Sequence, residues 1–149
     1  MGRWIGLDYG VRRIGVALAD FRGIIASPAT TLAATGRPAD DAAAVLMWAA
    51  GHEPGGFVVG LPLNMDGTDS EQTRLTRAFA AELARQARPA PTGTPTPVEL
   101  WDERLSSFQA DAHLTAANVR KSRRKELRDA LAAQVMLQSF LDARATEGG

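Results

Sequence analysis

Three aspartates stand where a charged carboxylate is costly to keep. Asp8 closes the apolar run Trp4-Ile5-Gly6-Leu7, and Asp102 closes Val98-Glu99-Leu100-Trp101. Asp129 shares a helical face with Ala132, Ala133, Met136 and Phe140, at spacings of three, four, seven and eleven. Burial penalises the ionised form of each acid unless a metal or a cation compensates. Carboxylates on two strands and one helix are what a divalent-metal site for phosphodiester chemistry needs. With no cysteine and only two histidines in the chain, the natural partner of such a cluster is a hard ion, Mg²⁺ or Mn²⁺. Two such ions about 4 Å apart would clamp a scissile phosphate, one activating the attacking water and the other steadying the leaving oxygen.

Each acid also has a plainer use. Asp129 could answer a helix macrodipole or pair with an arginine. Asp102 could pair with Arg104 or cap the turn that follows it. Alternation places Val98, Leu100 and Asp102 on one face and Glu103 on the other, but strand ends twist, so Glu103 stays a candidate second ligand. His52 and His113 read as surface or core residues rather than ligands.

The run Arg120-Lys121-Ser122-Arg123-Arg124-Lys125 leads directly into the helix of Asp129, where basic groups would meet the phosphates of a polyanion. Arg12 and Arg13, in the turn after Asp8, extend the same surface. The glycine-punctuated segment Gly60-Leu61-Pro62 to Asn64-Met65-Asp66-Gly67 follows a strand, and its amides with the next helix start could hold phosphate. A P-loop is excluded, since no Gly-Lys-Ser/Thr is present.

The elements that must position these groups follow from periodicity. Residues 3–9 and Arg13–Ala19 predict two strands joined by a hairpin turn, and Ile24–Leu32 a third, which Pro28 marks as an edge or a bulge. Asp40–Ala50 predicts a helix, Gly56–Leu61 a strand, and Thr68-x-x-Glu71 a capping box opening a helix with Leu75, Phe79 and Leu83 on one stripe. Arg88–Pro97 reads as a surface loop, Val98–Trp101 as the last strand, Ser106 to about Ala117 as a short helix and Arg124–Ala143 as the final one. This order is α/β with a mixed five-stranded sheet flanked by helices.

At 149 residues the chain has the length of one domain, expected to span 1–149, with room for a proper core. Seventeen basic residues balance seventeen acidic ones, so any nucleic-acid binding must come from local clusters rather than net charge. The absence of cysteine removes disulfides and thiolate chemistry. With no leader pattern and no apolar run long enough to span a bilayer, a cytoplasmic protein without membrane association is expected.

Gly6-Leu7-Asp8-Tyr9-Gly10-Val11-Arg12-Arg13-Ile14-Gly15-Val16-Ala17 with Asp20 resembles the opening signature of the YqgF family, also called RuvX, of Holliday junction resolvases. Gly60-Leu61-Pro62 to Gly67, Asp102-Glu103-Arg104-Leu105-Ser106, and Lys125 to Asp129 with Ala132-Ala133 and Leu137 are similar to its later blocks. The likeness spans essentially the whole chain. Arg128, where an apolar residue is usual, and Ser107, where threonine is common, depart from the pattern without removing an acid. The resemblance implies a ribonuclease-H-like fold, metal-dependent nuclease activity, and a role in maturing the 5′ end of pre-16S rRNA in ribosome biogenesis. The acids that match are Asp8, Asp102 and Asp129. On this reading Asp8 bridges two ions and Asp102 and Asp129 hold one each; Mg²⁺ and Mn²⁺ serve, and Ca²⁺ binds with poorer catalysis.

The partner would be pre-16S rRNA, alone or in a pre-ribosomal particle, and the protein a monomer or a homodimer. Branched DNA is the alternative substrate, and a symmetric dimer would favour it because two strands must be cut in register. A non-catalytic nucleic-acid-binding module is a third reading, which three costly carboxylates oppose. A sugar-kinase-like or actin-like ATPase would need two such domains.

Overall fold

Arg3–Tyr9 (β1) and Arg13–Ala19 (β2) form a hairpin with the boundaries that alternation predicts. Gly10 N–H donates to the Arg13 carbonyl at 2.8 Å and closes the turn. The computed structural model describes residues 2–87, 95–106 and 121–148, with the backbone alone for 121–126 and 147–148. In it, Ala26–Ala33 (β3) follows β2 antiparallel, and Pro54–Leu61 (β4) and Val98–Asp102 (β5) lie parallel to β1, in the order β3-β2-β1-β4-β5. Pro28 acts as both an edge and a bulge residue. It lies on an edge strand, and the register slips there, Val16 facing Thr30 while Ala17 faces Pro28.

Helices cover both faces. Pro38–Ala49 (α1) and Glu71–Gln86 (α2) pack on one, over Ile5, Leu7, Tyr9, Val16, Phe57 and Val59. Lys121–Gly148 (α3) packs on the other, where Ala133, Met136, Leu137 and Phe140 meet Ala17 and Val58. Complete burial of Phe57, Phe79, Leu83 and Leu137 stabilises each by about 1.5–3 kcal/mol relative to exposure. Two glycines set how closely α3 approaches: a Cβ at Gly15 would lie 1.9 Å from the Asp129 carbonyl oxygen, and one at Gly6 would lie 2.8 Å from Leu137 Cβ. Nothing larger lets Asp129 reach the centre of the sheet.

Several boundaries differ from expectation: β3 spans Ala26–Ala33 rather than 24–32, α1 begins at Pro38 rather than Asp40 and β4 at Pro54 rather than Gly56. The cap of α2 is Ser70, not Thr68. Ser70 Oγ accepts from Thr73 N–H at 3.1 Å, and Thr73 Oγ1 accepts from Ser70 N–H at 2.9 Å. Thr68 instead turns to the Asp66 carboxylate. The final helix begins at Lys121 and runs to Gly148, longer at both ends than 124–143. Residues 107–120, which hold most of the expected short helix, and 88–94 of the expected loop lie outside the described residues. Among the described residues no helix is long and apolar enough to cross a membrane.

Candidate active site

Strand parity decides which acids meet. On β1, Ile5, Leu7 and Tyr9 face α1 and α2, so Trp4, Gly6 and Asp8 face α3. On β5, Val98 packs with the α1–α2 layer and Trp101 with α3. Asp102 therefore carries the parity of the opposite face, and Glu103, continuing from Trp101, carries that of Asp8. The structure follows this parity. Asp102 Oδ1 accepts from Arg104 N–H at 2.9 Å, capping the 3-10 turn Glu103–Leu105, and its carboxylate takes a fork from Arg104 Nε and Nη2 at 3.0 and 2.7 Å. The same turn swings Glu103 inward, where its carboxyl hydrogen-bonds Asp8. A Cβ at Gly60 would lie 2.6 Å from Glu103 Oε1, so only glycine at the end of β4 leaves room for this side chain.

The electrostatics are those of a crowded acid group. Burial pushes the Asp8 carboxyl above its ordinary range; the hydrogen bond from Glu103 pulls it back in part, and the charge of Asp129 raises it further. Burial also pushes Glu103 up, helped by its donated hydrogen bond to Asp8 and by the charges of Asp8 and Asp102. Both carboxyls of the pair are thus held above the ordinary carboxylate range, with Glu103 pushed up to about 9. Asp129, half-buried, is held by Arg13 Nε at 2.7 Å. Arg104 keeps Asp102 below the usual carboxylate range. Of the four acids in the sequence reading, the structure brings Asp8, Glu103 and Asp129 into one field and ties Asp102 to an arginine. Among the described residues no three acids are yet gathered tightly enough to hold an ion.

The cationic residues divide in the same way. Arg12 and Arg13 are exposed at the β1–β2 turn. Arg120 lies outside the described residues, and Lys121, Arg123, Arg124 and Lys125 are described by backbone alone. That backbone belongs to α3, eight to four residues ahead of Asp129. Because α3 runs from Asp129 beside Gly15 to Leu137 beside Gly6, its first turns lead from Asp129 toward the carboxyl end of β1. A groove of about 560 Å³ runs along β3 from Ala33 to Pro28, with Arg12 and Arg13 at one end and Leu127 and Ala130 of α3 on its other side. The Gly60–Gly67 segment is not an open phosphate cradle. Its turn is closed by Asn64 N–H to the Thr68 carbonyl at 2.9 Å, and Ser70 occupies the Thr73 amide of α2. His52 is a packing residue, stacked on Trp48 at 3.9 Å; His113 lies outside the described residues.

A second polar cluster on the other side of β1 has no counterpart in the sequence reading. Tyr9 OH donates to Asp41 Oδ2 at 2.5 Å, and Asp41 Oδ1 accepts from Thr35 N–H and Oγ1 at 2.8 and 2.9 Å. Gln72 Nε2 donates to the Tyr9 carbonyl at 2.9 Å, and the Tyr9 ring stacks on Phe79 at 4.2 Å. These bonds fix the residue next to Asp8. Two adjacent acids, Asp40 and Asp41, open this alanine-rich helix, and nothing in the sequence marks Asp41 as the buried one.

Residues 2–143 match the family described as "RuvX: Holliday junction resolvase". Relatives carrying the name "Putative pre-16S rRNA nuclease" include those of Myxococcus xanthus, 43% identical over 141 residues with 95% of this chain and 88% of the relative covered, and of Anaeromyxobacter dehalogenans, 46% identical over 143 residues with 96% and 98% covered. The relative from Sphingopyxis alaskensis is 46% identical over 143 residues, covering 95% and 88%. Among solved structures, Thermus thermophilus RuvC in complex with a Holliday junction substrate superposes with a TM-score of 0.55 at 18% identity, over 97% of this chain and 96% of that one. This likeness places the mixed sheet and its flanking helices in the ribonuclease-H-like fold.

Proposed function

The chain belongs to the RuvX family, a family of phosphodiester-hydrolysing enzymes, and on that premise we propose that it is a divalent-metal-dependent endonuclease that matures the 5′ end of pre-16S rRNA. One observation carries the assignment of the site: two carboxyl groups, Asp8 and Glu103, hydrogen-bonded to each other under the charge of a third acid, Asp129. Carboxyls crowded in this way repel one another once ionised, and a cation among them would let them ionise together. The oxygen-only donor set fits Mg²⁺ or Mn²⁺. Asp8, Glu103 and Asp129 would hold the metal, and Asp102, in its fork with Arg104, would join only by giving up that pair. The metal, when bound, supplies an activated water and neutralises charge on the phosphate.

The residues of the chain do the positioning. Asp8, anchored through Tyr9, sets the fixed corner of the site; Glu103 gives up its proton and turns both oxygens inward; Asp129 releases Arg13, which is then free to meet a phosphate oxygen. Arg12, together with Arg120, Lys121, Arg123, Arg124 and Lys125 where α3 begins, carries the flanking backbone of the substrate. The groove along β3, which Arg12 and Arg13 line at one end, would give that backbone a path. The RNA could be met free or in a pre-ribosomal particle, by a monomer or a homodimer, in the cytoplasm.

The test is cleavage of a 5′-extended 16S precursor beside a four-way DNA junction, with Mg²⁺ or Mn²⁺, EDTA controls and Asp8→Asn protein. Metal-dependent cutting of the RNA alone, lost in the variant, is expected. Cutting of the junction alone would make this a resolvase. Binding without cutting would make it a non-catalytic module. Glu103→Gln should cost more than Asp102→Asn; the reverse order would return Asp102 to the metal.

A further inference from the structure

Most exposed apolar side chains on a protein surface need no explanation. Three in this chain share a location. Val11 is 68% exposed, Met65 95% and Leu105 61%. They sit on the three segments that leave the carboxyl ends of β1, β4 and β5, parallel strands that all end on the same side of the sheet. Val11 is three residues from Asp8 and Leu105 two from Glu103, so their Cα atoms lie within about 11 and 8 Å of those acids. Met65 is tied to the same rim: its carbonyl accepts from Arg104 Nη1 at 3.2 Å, on the guanidinium that forks Asp102. Three exposed apolar side chains thus stand on the turns that follow β1, β4 and β5, at the strand ends that carry Asp8 and Glu103.

On that rim Arg13 is paired with Asp129 and Arg104 with Asp102, while Arg12 stands exposed beside Val11, placed to meet backbone phosphate. An intact duplex presents phosphates to a protein surface and is met by cations. Unstacked bases present flat apolar faces, and side chains such as Met and Leu pack on or between them. Resting on the nuclease reading above, we propose that the nucleotides flanking the scissile phosphate are held unpaired, with their bases against Val11, Met65 and Leu105. The substrate class is then a single-stranded stretch of nucleic acid, and an uninterrupted duplex is excluded from the site.

The experiment is a binding titration of Ca²⁺-loaded protein with a single-stranded oligoribonucleotide carrying 2-aminopurine, beside the same sequence fully paired. Wild-type protein should bind the single strand with a change in 2-aminopurine fluorescence, and the duplex at least tenfold more weakly. A Met65→Ser, Leu105→Ser double variant should lose the fluorescence change and about tenfold or more in affinity, while its Mn²⁺ affinity stays at the wild-type value. A Met65→Leu, Leu105→Met variant should keep both. Equal binding of single strand and duplex, or a serine variant that binds and reports like wild type, would overturn the proposal. Hydrolysis of methyl p-nitrophenyl phosphate, which has no base, separates the two readings. If the oligonucleotide results hold and neither it nor RNA is hydrolysed, the base-holding rim stands and the nuclease assignment fails. If RNA is cut equally by wild type and the serine variant, the nuclease stands and the rim falls.

Discussion

Two carboxylates lie on opposite faces of the sheet at consecutive residues of β1, Asp8 as one of its residues and Asp41 against Tyr9, and they are treated differently. Asp41, 1% exposed, lies on the Tyr9 side with hydrogen bonds from a phenol, an amide and a hydroxyl, so its burial is fully compensated. Asp8, on the α3 side, meets another carboxyl and the charge of a third. The first arrangement is what a fold does with an acid that it uses for structure. The second keeps acids together against their mutual repulsion, and such arrangements mark functional sites. Burial does not distinguish the two; the partners do.

The strongest way to sharpen this contrast is Asp8→Asn. Cleavage should fall by about 10³-fold or more, from the loss of several kcal/mol of metal-borne stabilisation. The metal-free variant should melt higher than wild type, because a repelling charge is gone. A variant that loses activity and stability together would place Asp8 in the structural class with Asp41. Next comes Asp41→Ala, which strands Tyr9 OH and the Thr35 amide and should cost about 3 kcal/mol by urea unfolding. Any loss of cleavage should then track the unfolded fraction.

The pH dependence follows from the sign of the Glu103 shift. Between the ordinary carboxylate range and its raised value, the folded chain keeps a proton that the unfolded chain has released. Stability of metal-free protein should therefore fall as pH rises through that window, by up to about 1.4 kcal/mol per pH unit, and Glu103→Gln should flatten the slope. Saturating Mn²⁺ should remove it as well, since the bound state no longer holds the proton. The smallest effect expected is Tyr9→Phe, about 1 kcal/mol by the same unfolding measurement, because Thr35 still serves Asp41.

Much of the fold was legible because β1 and β2 alternate cleanly, and because Pro28 can be accommodated only at an edge or a bulge. The cap of α2 was misplaced because Thr68-x-x-Glu71 fits a capping box as a pattern, whereas Ser70 and Thr73 form it in the chain with threonine in place of the usual Glu or Gln. Asp8 and Asp129 could be singled out from their apolar neighbours. Which of Asp102 and Glu103 shares a face with Asp8 could not be read, because alternation reports that two residues face opposite ways and not which way the sheet is turned. Trp101 held that information: it packs under α3 beside Phe140, and its Nε1 donates to Ser139 at 3.1 Å. Tyr9 and Asp41 were missed because their bond joins residues 32 apart through tertiary structure alone.

The most direct measurement is calorimetric titration of metal-free protein with Mn²⁺ near neutral pH, in two buffers of different ionisation enthalpy. The account predicts binding with release of about one proton per protein, and release lost in Glu103→Gln while Asp102→Asn behaves as wild type. Absence of binding would contradict it, as would binding without proton release that Glu103→Gln leaves unchanged.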